Sequence, residues 1–245
     1  MRGAVGVLTR LPLRVVSERP GAAAFGLVGA VIGALAVAPL LIVGALGREP
    51  ALGAVGAIAS VAVLSGGFHL DGLADTADAL LARDRDGAES ARRDPRIGPG
   101  GAVALVLVLA GQIAALASLT TSAPLVAAAT LVAVVSVSRV VPLAAGAVPV
   151  QRAGVGLGAW FTTHTTIRDA LVAAGSSVAM MVGLVALLGA RGWPVVAATA
   201  AAGVVGLAAL RVIITWRGTV DGDALGAAVE LSVVAGLTAA AIVVD

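Results

Sequence analysis

Seven apolar runs of about 20 residues constrain the fold of this sequence more than any other feature. A run of that length crosses the hydrocarbon core of a bilayer as a helix. The runs cover approximately residues 22–46, 51–70, 99–119, 124–149, 169–190, 194–214 and 223–244. The chain of 245 residues is 59% hydrophobic and 12% charged, whereas soluble domains are about 45–50% apolar and roughly 25% charged. We therefore predict an all-α, polytopic integral membrane bundle with about seven spans, forming one domain over residues 1–245.

The chain contains neither lysine nor cysteine, and these absences exclude several classes of chemistry. Without lysine there is no phosphate loop of the Gly-Lys-Thr type and no Schiff-base catalysis. Without cysteine there are no disulfides, thiolate nucleophiles or Cys-ligated metals.

The arginines predict the orientation in the membrane. Thirteen of the 16 basic residues fall on the side of the N-terminus: Arg2, Arg10, Arg14, Arg19, Arg83, Arg85, Arg92, Arg93, Arg96, Arg152, Arg168, Arg211 and Arg217. The other side receives Arg48 and Arg191, and Arg139 lies inside the fourth run. Positive charge collects on the cytoplasmic side, so we expect a multi-pass protein of the cell (plasma or inner) membrane with a cytoplasmic N-terminus and no nucleic-acid partner. Arg139 and Pro142 leave open whether 124–149 is one continuous span.

Three aspartates after the second run form the central polar feature. Asp71, Asp75 and Asp78 are spaced i, i+4 and i+7, which places them within about 60° on one helix face. Like charges at this spacing repel, so a shared cation such as Mg²⁺ or Mn²⁺ is one interpretation, and a solvated surface turn is the other. His69 precedes them and is as consistent with packing as with catalysis.

One of two further polar segments is a candidate for phosphate binding, and the other is not assigned a role. Between Arg92 and Gly101, Asp94-Pro95 begins a turn, Arg96 can bind a phosphate, and the glycines let backbone N–H groups approach an anion; topology anchors in a plain loop explain the segment equally well. Residues 154–161 with His164 are expected to be a flexible cytoplasmic loop.

Arg139 and Glu230 lie well inside apolar runs, where a charge is costly. Arg139 is expected to face a carboxylate, a phosphate or a watery cavity, with snorkelling as the alternative. Glu230 lies two turns into the last run and shares a helix face with Asp223, which favours a functional position.

Several spaced motifs resemble those of the cobalamin synthase family, integral membrane enzymes that close the lower nucleotide loop of vitamin B12. The resemblance runs nearly end to end and is carried by Thr9-Arg10-Leu11-Pro12, Phe25-Gly26-Leu27-Val28-Gly29, His69-Leu70-Asp71-Gly72-Leu73-Ala74-Asp75-Thr76-Ala77-Asp78, Asp94-Pro95-Arg96-Ile97-Gly98, Gly222-Asp223-Ala224-Leu225-Gly226-Ala227 and Glu230-Leu231-Ser232. The chain departs from the family pattern at four positions. Gly26 replaces a Pro, and Val233 stands where an acid is frequent. In the family's late Gly-Gly-x-Thr-Gly-Asp element, Thr219 replaces the second Gly and Asp221 stands where Thr is usual.

The resemblance implies an adenosylcobinamide-GDP ribazoletransferase, in which a hydroxyl of α-ribazole or its 5′-phosphate attacks the cobinamide-proximal phosphorus of adenosylcobinamide-GDP and releases GMP. We then expect Asp71, Asp75 and Asp78 to hold Mg²⁺. Asp94, Asp223 or Glu230 would complete the ligand set or act as the base. Arg96 and Arg139 would hold the diphosphate, with Arg10 and His69 as further substrate contacts. These residues are predicted to converge at the Arg-rich membrane surface.

Two other functions remain as alternatives. The aspartates are also similar to those of CDP-alcohol phosphotransferases, whose motif has an Arg and a longer spacing that are not found here. A small-solute transporter would place polar groups near the bilayer midplane, whereas most acids here lie near one surface. A homo-oligomer, the preference for ribazole or its phosphate, and the physiological metal are left open.

Overall fold

The computed structural model describes residues 1–10, 19–82, 87–88, 96–147, 151–152 and 157–244. The α-helices, in chain order, are α1 (Arg2–Leu8), α2 (Phe25–Ala36), α3 (Ala38–Ala45), α4 (Pro50–Leu64), α5 (Phe68–Leu80), α6 (Pro99–Ser122), α7 (Pro124–Val140), α8 (Leu157–His164), α9 (Ile167–Leu188), α10 (Trp193–Arg217) and α11 (Gly222–Val243). Short 3₁₀ turns occupy Ala22–Ala24, Val141–Ala147 and Gly189–Gly192. Two-residue strands β1 (Gln151–Arg152) and β2 (Thr219–Val220) pair in parallel.

The predicted all-helical membrane architecture is confirmed, and the predicted number of about seven spans is approximate. Five helical segments of the described chain are long and apolar enough to cross a membrane, or six when the bent pair α4–α5 is counted as one span. One of the five is the 51-residue segment Ile167–Arg217, which contains α9 and α10. The chain turns between these helices at Gly189–Gly192, where a Cβ on Gly192 would lie 2.9 Å from Cα of Val185 in α9.

The second apolar run does not form the single span drawn over 51–70. Helix α4 ends at Leu64, and α5 leaves it at an angle of 91°. Gly66 and Gly67 make this bend with φ of +70° and +74°, a conformation that glycine adopts without the steric cost of a Cβ. A Cβ on Gly66 would also lie 2.8 Å from Nε of Arg10.

The fourth run continues without interruption through Arg139 and Pro142. Helix α7 passes directly into the 3₁₀ turn Val141–Ala147, so the described part of the run, Pro124–Gly146, is one helical segment. A 3₁₀ turn accepts Pro142 here because proline is tolerated in the first turn of a new helical segment.

Small residues set the helix spacing in the core, as their abundance predicts. A Cβ on Gly33 would lie 2.8 Å from Cα of Val132, and one on Gly236 would lie 2.9 Å from the carbonyl oxygen of Ala198. Helix α2 therefore packs on α7, and α11 on α10, at nearly backbone-to-backbone distance.

Candidate active site

A cavity of about 210 Å³ opens where several helix ends meet on one side of the bundle. It is bordered by the ends of α1, α2, α5, α8 and α11 and by the 3₁₀ turn after α7. Its lining residues are Val7, Leu8, Phe25, Phe68, His69, Asp71, Pro142, Gly158, Phe161, Gly222, Asp223, Leu225 and Gly226. Three of these residues are ionisable, and they come from segments about 150 positions apart in sequence.

Two glycines let α5 and α11 meet at this cavity. A Cβ on Gly72 would lie 2.9 Å from both Cα and the carbonyl oxygen of Asp223, and a Cβ on Gly226 would lie 3.1 Å from Cα of His69. The two helices therefore touch backbone to backbone at the positions where each carries its first acid. This contact places Asp71 and Asp223 on one cavity wall, and it brings Asp223 to the same side of the bundle as Asp75.

Asp71 and Asp223 offer hard oxygen donors at the cavity surface, with Asp71 exposed and the Asp223 side chain 30% exposed. Within the described part of the chain, no group of three or more His, Asp or Glu side chains is arranged to hold a metal ion. Mg²⁺ commonly uses one or two carboxylates together with substrate phosphates and water rather than an all-protein cage. The pair Asp71 and Asp223 fits that mode of binding.

Asp78 is engaged in a contact that the sequence pattern does not indicate. Its Oδ2 accepts a hydrogen bond from the backbone N–H of Gly98, and its Oδ1 accepts one from Gly101, each at 2.8 Å. The glycines at the start of α6 were expected to let backbone N–H groups meet an anion, and the anion in the structure is the Asp78 carboxylate. Asp78 thus caps α6, whose first N–H groups have no partner within the helix. Asp75 lies half-buried on the same face of α5, between Asp71 and Asp78.

Arg217 links α5 to α11 beside the cavity, a role that its position at the end of an apolar run does not indicate. Its Nη1 donates to Oδ1 and Oδ2 of Asp221 at 2.8 and 2.7 Å, and its Nη2 donates to Thr76 Oγ1 at 3.3 Å. Nη1 also lies 3.9 Å from Oδ2 of Asp223. Asp221 accepts a further hydrogen bond from the N–H of Ala224 and so caps α11.

Arg139 and Glu230 lie in the protein interior and are not among the residues that line the cavity. Arg139 is fully buried, donates from Nη1 to Ser138 Oγ at 2.8 Å, and interacts electrostatically with Glu230. Glu230 accepts a hydrogen bond of 2.8 Å from Nε2 of Gln112. Gln112 was not among the predicted site residues, although it is the only amide in a helix without charged side chains.

His69 connects this buried group to the cavity. It lines the cavity and interacts electrostatically with Arg139. Its buried Nδ1 has no hydrogen-bond partner among the described residues.

The remaining predicted residues lie at the edges of the site or outside it. Arg10 is exposed and covers the bend at Gly66, where its backbone N–H donates to the carbonyl of Leu64 at 3.2 Å. Arg96 is exposed shortly before α6. Asp94 lies outside the described residues.

Aromatic rings form the apolar wall of the cavity. Phe25 and Phe161 stack with their centroids 5.3 Å apart and their planes at 22°. Phe161 belongs to α8, so the expectation of a flexible loop at 154–161 is wrong from Leu157 onward; residues 153–156 lie outside the description. The Cβ that Gly158 lacks would come 2.8 Å from the carbonyl carbon of Asp221, so α8 packs directly on the start of α11.

Comparison with known proteins gives a consistent family match. The family model described as cobalamin-5-phosphate synthase matches residues 1–241. A protein of Klebsiella pneumoniae strain 342 named adenosylcobinamide-GDP ribazoletransferase is 32% identical over 248 positions, covering 93% of this chain and 93% of that protein. A protein of Rhizobium etli strain CIAT 652 with the same name is 33% identical over 228 positions, covering 89% and 84%. No solved structure matches the chain.

Proposed function

Because the chain belongs to the cobalamin-5-phosphate synthase family, we propose that it is an adenosylcobinamide-GDP ribazoletransferase. It is a membrane enzyme that transfers the ribazole group in cobalamin synthesis. One observation supports the position of the site. Two motifs that are distant in sequence, the α5 segment from Phe68 and the α11 segment from Gly222, meet at one cavity, which is lined by Asp71 and Asp223.

The proposed reaction is a displacement at phosphorus. A hydroxyl oxygen of α-ribazole, or of its 5′-phosphate, forms a bond to the cobinamide-proximal phosphorus of adenosylcobinamide-GDP. The bond from that phosphorus to the oxygen bridging to GMP breaks, GMP leaves with the bond electrons, and the hydroxyl proton passes to a base. Such a reaction depends mainly on positioning and on stabilisation of charge.

We assign the roles as follows. Asp223 borders the cavity and is the proposed base or cation ligand, with Asp94 as the other candidate for the base. The aromatic pair Phe25 and Phe161 forms an apolar wall that excludes water from one side of the reacting groups. Arg10 and Arg96, exposed at the edge of the site, are the proposed contacts for the diphosphate.

The buried residues are proposed to affect the cavity indirectly, from the protein interior. Glu230 is the counter-charge of Arg139 and is held in place by a hydrogen bond from Gln112. His69 lines the cavity and interacts electrostatically with Arg139, so it is the proposed route by which Arg139 affects a bound substrate.

Mg²⁺ is part of the proposal. Asp71 and Asp223 would hold it, with Asp75 one helical turn from Asp71, whereas the carboxylate of Asp78 is engaged in capping α6. When bound, Mg²⁺ would neutralise the charge that develops on the diphosphate oxygens.

Detergent-solubilised protein tests the proposal directly. With adenosylcobinamide-GDP, α-ribazole and Mg²⁺ we expect GMP to be released in step with cobalamin formation, and with EDTA we expect no GMP. Release of CMP from a CDP-alcohol instead would establish the phosphotransferase alternative, and solute uptake by proteoliposomes without GMP release would establish transport. The family match and its relatives favour neither alternative.

The location of the site completes the proposal. We propose that the cavity faces the cytoplasm, because the described arginines at this end of the bundle include Arg2, Arg10, Arg96 and Arg168, whereas Arg48 lies at the other end.

A further inference from the structure

We propose that Asp221 binds the guanidinium of Arg217 and thereby prevents it from hydrogen bonding with Asp223. The carboxylate of Asp223 can then act as a cation ligand. The inference rests on the proposed function, in which Asp223 contributes to cation binding. It assigns a positioning role to two residues that do not line the cavity.

The position of Arg217 between two carboxylates is the first observation. Its Nη1 makes hydrogen bonds of 2.8 and 2.7 Å to Asp221, but it lies 3.9 Å from Oδ2 of Asp223, which is beyond hydrogen-bond length. The side chain of Arg217 is 4% exposed, so water competes little for these contacts. The guanidinium is therefore held by one acid and lies within reach of the other.

Asp221 is suited to hold this charge because it is itself fixed. It is 8% exposed, and its Oδ1 accepts the N–H of Ala224 at 2.9 Å as the N-cap of α11. Thr76 of α5 fixes the other end of the guanidinium by accepting from Nη2. Asp223, by contrast, follows the cap by two residues and its side chain is 30% exposed.

Arg217 also keeps an unused donor. Its Nε is buried and has no hydrogen-bond partner among the described residues. A buried N–H group without a partner costs free energy, so a guanidinium released by Asp221 would turn toward another acceptor. After the oxygens of Asp221, the next carboxylate oxygen within its reach is Oδ2 of Asp223, 3.9 Å from Nη1. An arginine hydrogen bonded to Asp223 would compete with a cation for the same oxygens.

The sequence departure at this position fits the proposal. Residue 221 is Asp, whereas the cobalamin synthase family usually has Thr at this position. Both residue types cap helices. The cap alone therefore does not require a carboxylate, whereas holding a buried arginine does.

The inference is tested without turnover by measuring Mn²⁺ binding to the solubilised protein. Binding is measured as the loss of the electron paramagnetic resonance signal of free Mn²⁺. Asp221→Asn keeps a capping side chain but removes the charge, and we expect the dissociation constant for Mn²⁺ to rise roughly three- to tenfold, as for a new partly exposed charge-assisted hydrogen bond on Asp223. In the double variant Asp221→Asn/Arg217→Met the competing cation is absent, and we expect affinity equal to or above that of the parent. Asp221→Thr is the second single variant if Asn reduces the yield of folded protein.

The matched control is Asp169→Asn. Asp169 is also an acid in the first turn of a helix, where it forms a capping box with Thr166, and neither residue lines the cavity. It should bind Mn²⁺ as the parent does. Unchanged affinity in Asp221→Asn, or a double variant weaker than the single one, would overturn the inference and leave Arg217 with a purely structural role.

Release of GMP by the parent is measured in parallel and reports on the proposed function separately. A parent that releases GMP but binds no Mn²⁺ would remove the cation from the site and the inference with it. A parent that binds Mn²⁺, shows the expected pattern of variants and releases no GMP would retain the inference and refute the proposed reaction.

Discussion

At the residue scale, the three aspartates of α5 differ in surroundings although they share one helix face. Periodicity alone predicts that Asp71, Asp75 and Asp78 are neighbours, and this much holds in the helix. It does not reveal that Asp78 accepts hydrogen bonds from the N–H groups of Gly98 and Gly101, because those donors belong to a helix whose position depends on tertiary packing. The spacing therefore predicted the face correctly but did not separate a cavity residue from a capping residue.

We expect Asp71→Asn and Asp78→Asn to fail in different ways. Asp71 is exposed at the cavity, so its variant should keep the parent's melting temperature in detergent while the rate of GMP release falls roughly 100-fold or more. In Asp78→Asn the side-chain amide oxygen can accept one of the two backbone hydrogen bonds but carries no charge. This variant should therefore lose about 1–2 kcal/mol of stability and retain measurable turnover.

Melting curves and initial rates of GMP release, measured on both purified variants, check this prediction. Equal losses of activity with unchanged melting temperatures would place Asp78 among the cation ligands after all.

At the scale of elements, the packing of α5 on α11 determines the site. The apolar runs predicted that both segments are helical, but composition gave no information on which helices touch. The contact depends on Gly72, which follows Asp71 directly, and on Gly226, three residues after Asp223, because neither position leaves room for a Cβ. The bend at Gly66 and Gly67 was equally hidden, because hydropathy continues through the turn while the backbone changes direction by 91°.

Gly72→Ala should therefore impair the site although it removes no functional group. Its methyl group would force α5 away from Asp223, at a packing cost of about 1–3 kcal/mol. A displacement near 1 Å of a positioning element can reduce a rate roughly 100-fold, so we expect at least a tenfold loss in kcat for GMP release.

Gly175→Ala is the matched control, since Gly175 lies within α9, has no neighbour within 4 Å of an added Cβ and is exposed. It should leave kcat unchanged and slightly favour the helix. A Gly72→Ala variant as active as Gly175→Ala would show that the close contact between α5 and α11 is not needed for turnover.

At the scale of the whole molecule, the architecture follows from hydropathy more directly than the site does. The runs predict helices because a bilayer leaves no other way to satisfy the backbone of a 20-residue apolar segment. The runs alone do not show which helices are neighbours. The cost of a charge in an apolar run does predict that Arg139 faces a carboxylate, a phosphate or a watery cavity, and in the structure Arg139 and Glu230 are both buried and interact electrostatically. The arginine bias predicts the side on which the cavity opens, and that orientation remains a prediction.

Single cysteines test the orientation cleanly, because the chain has no cysteine of its own. Arg48 and Arg191 are exposed at the end of the bundle opposite the cavity, and Arg168 is exposed at the start of α9 on the cavity side. In intact cells, a maleimide that does not cross the inner membrane should label Arg48→Cys and Arg191→Cys, whereas Arg168→Cys should react only after the membrane is permeabilised. Labelling of all three after permeabilisation verifies that each thiol is accessible. The opposite pattern, with Arg168→Cys labelled in intact cells, would place the cavity outside the cytoplasm, away from the predicted excess of positive charge.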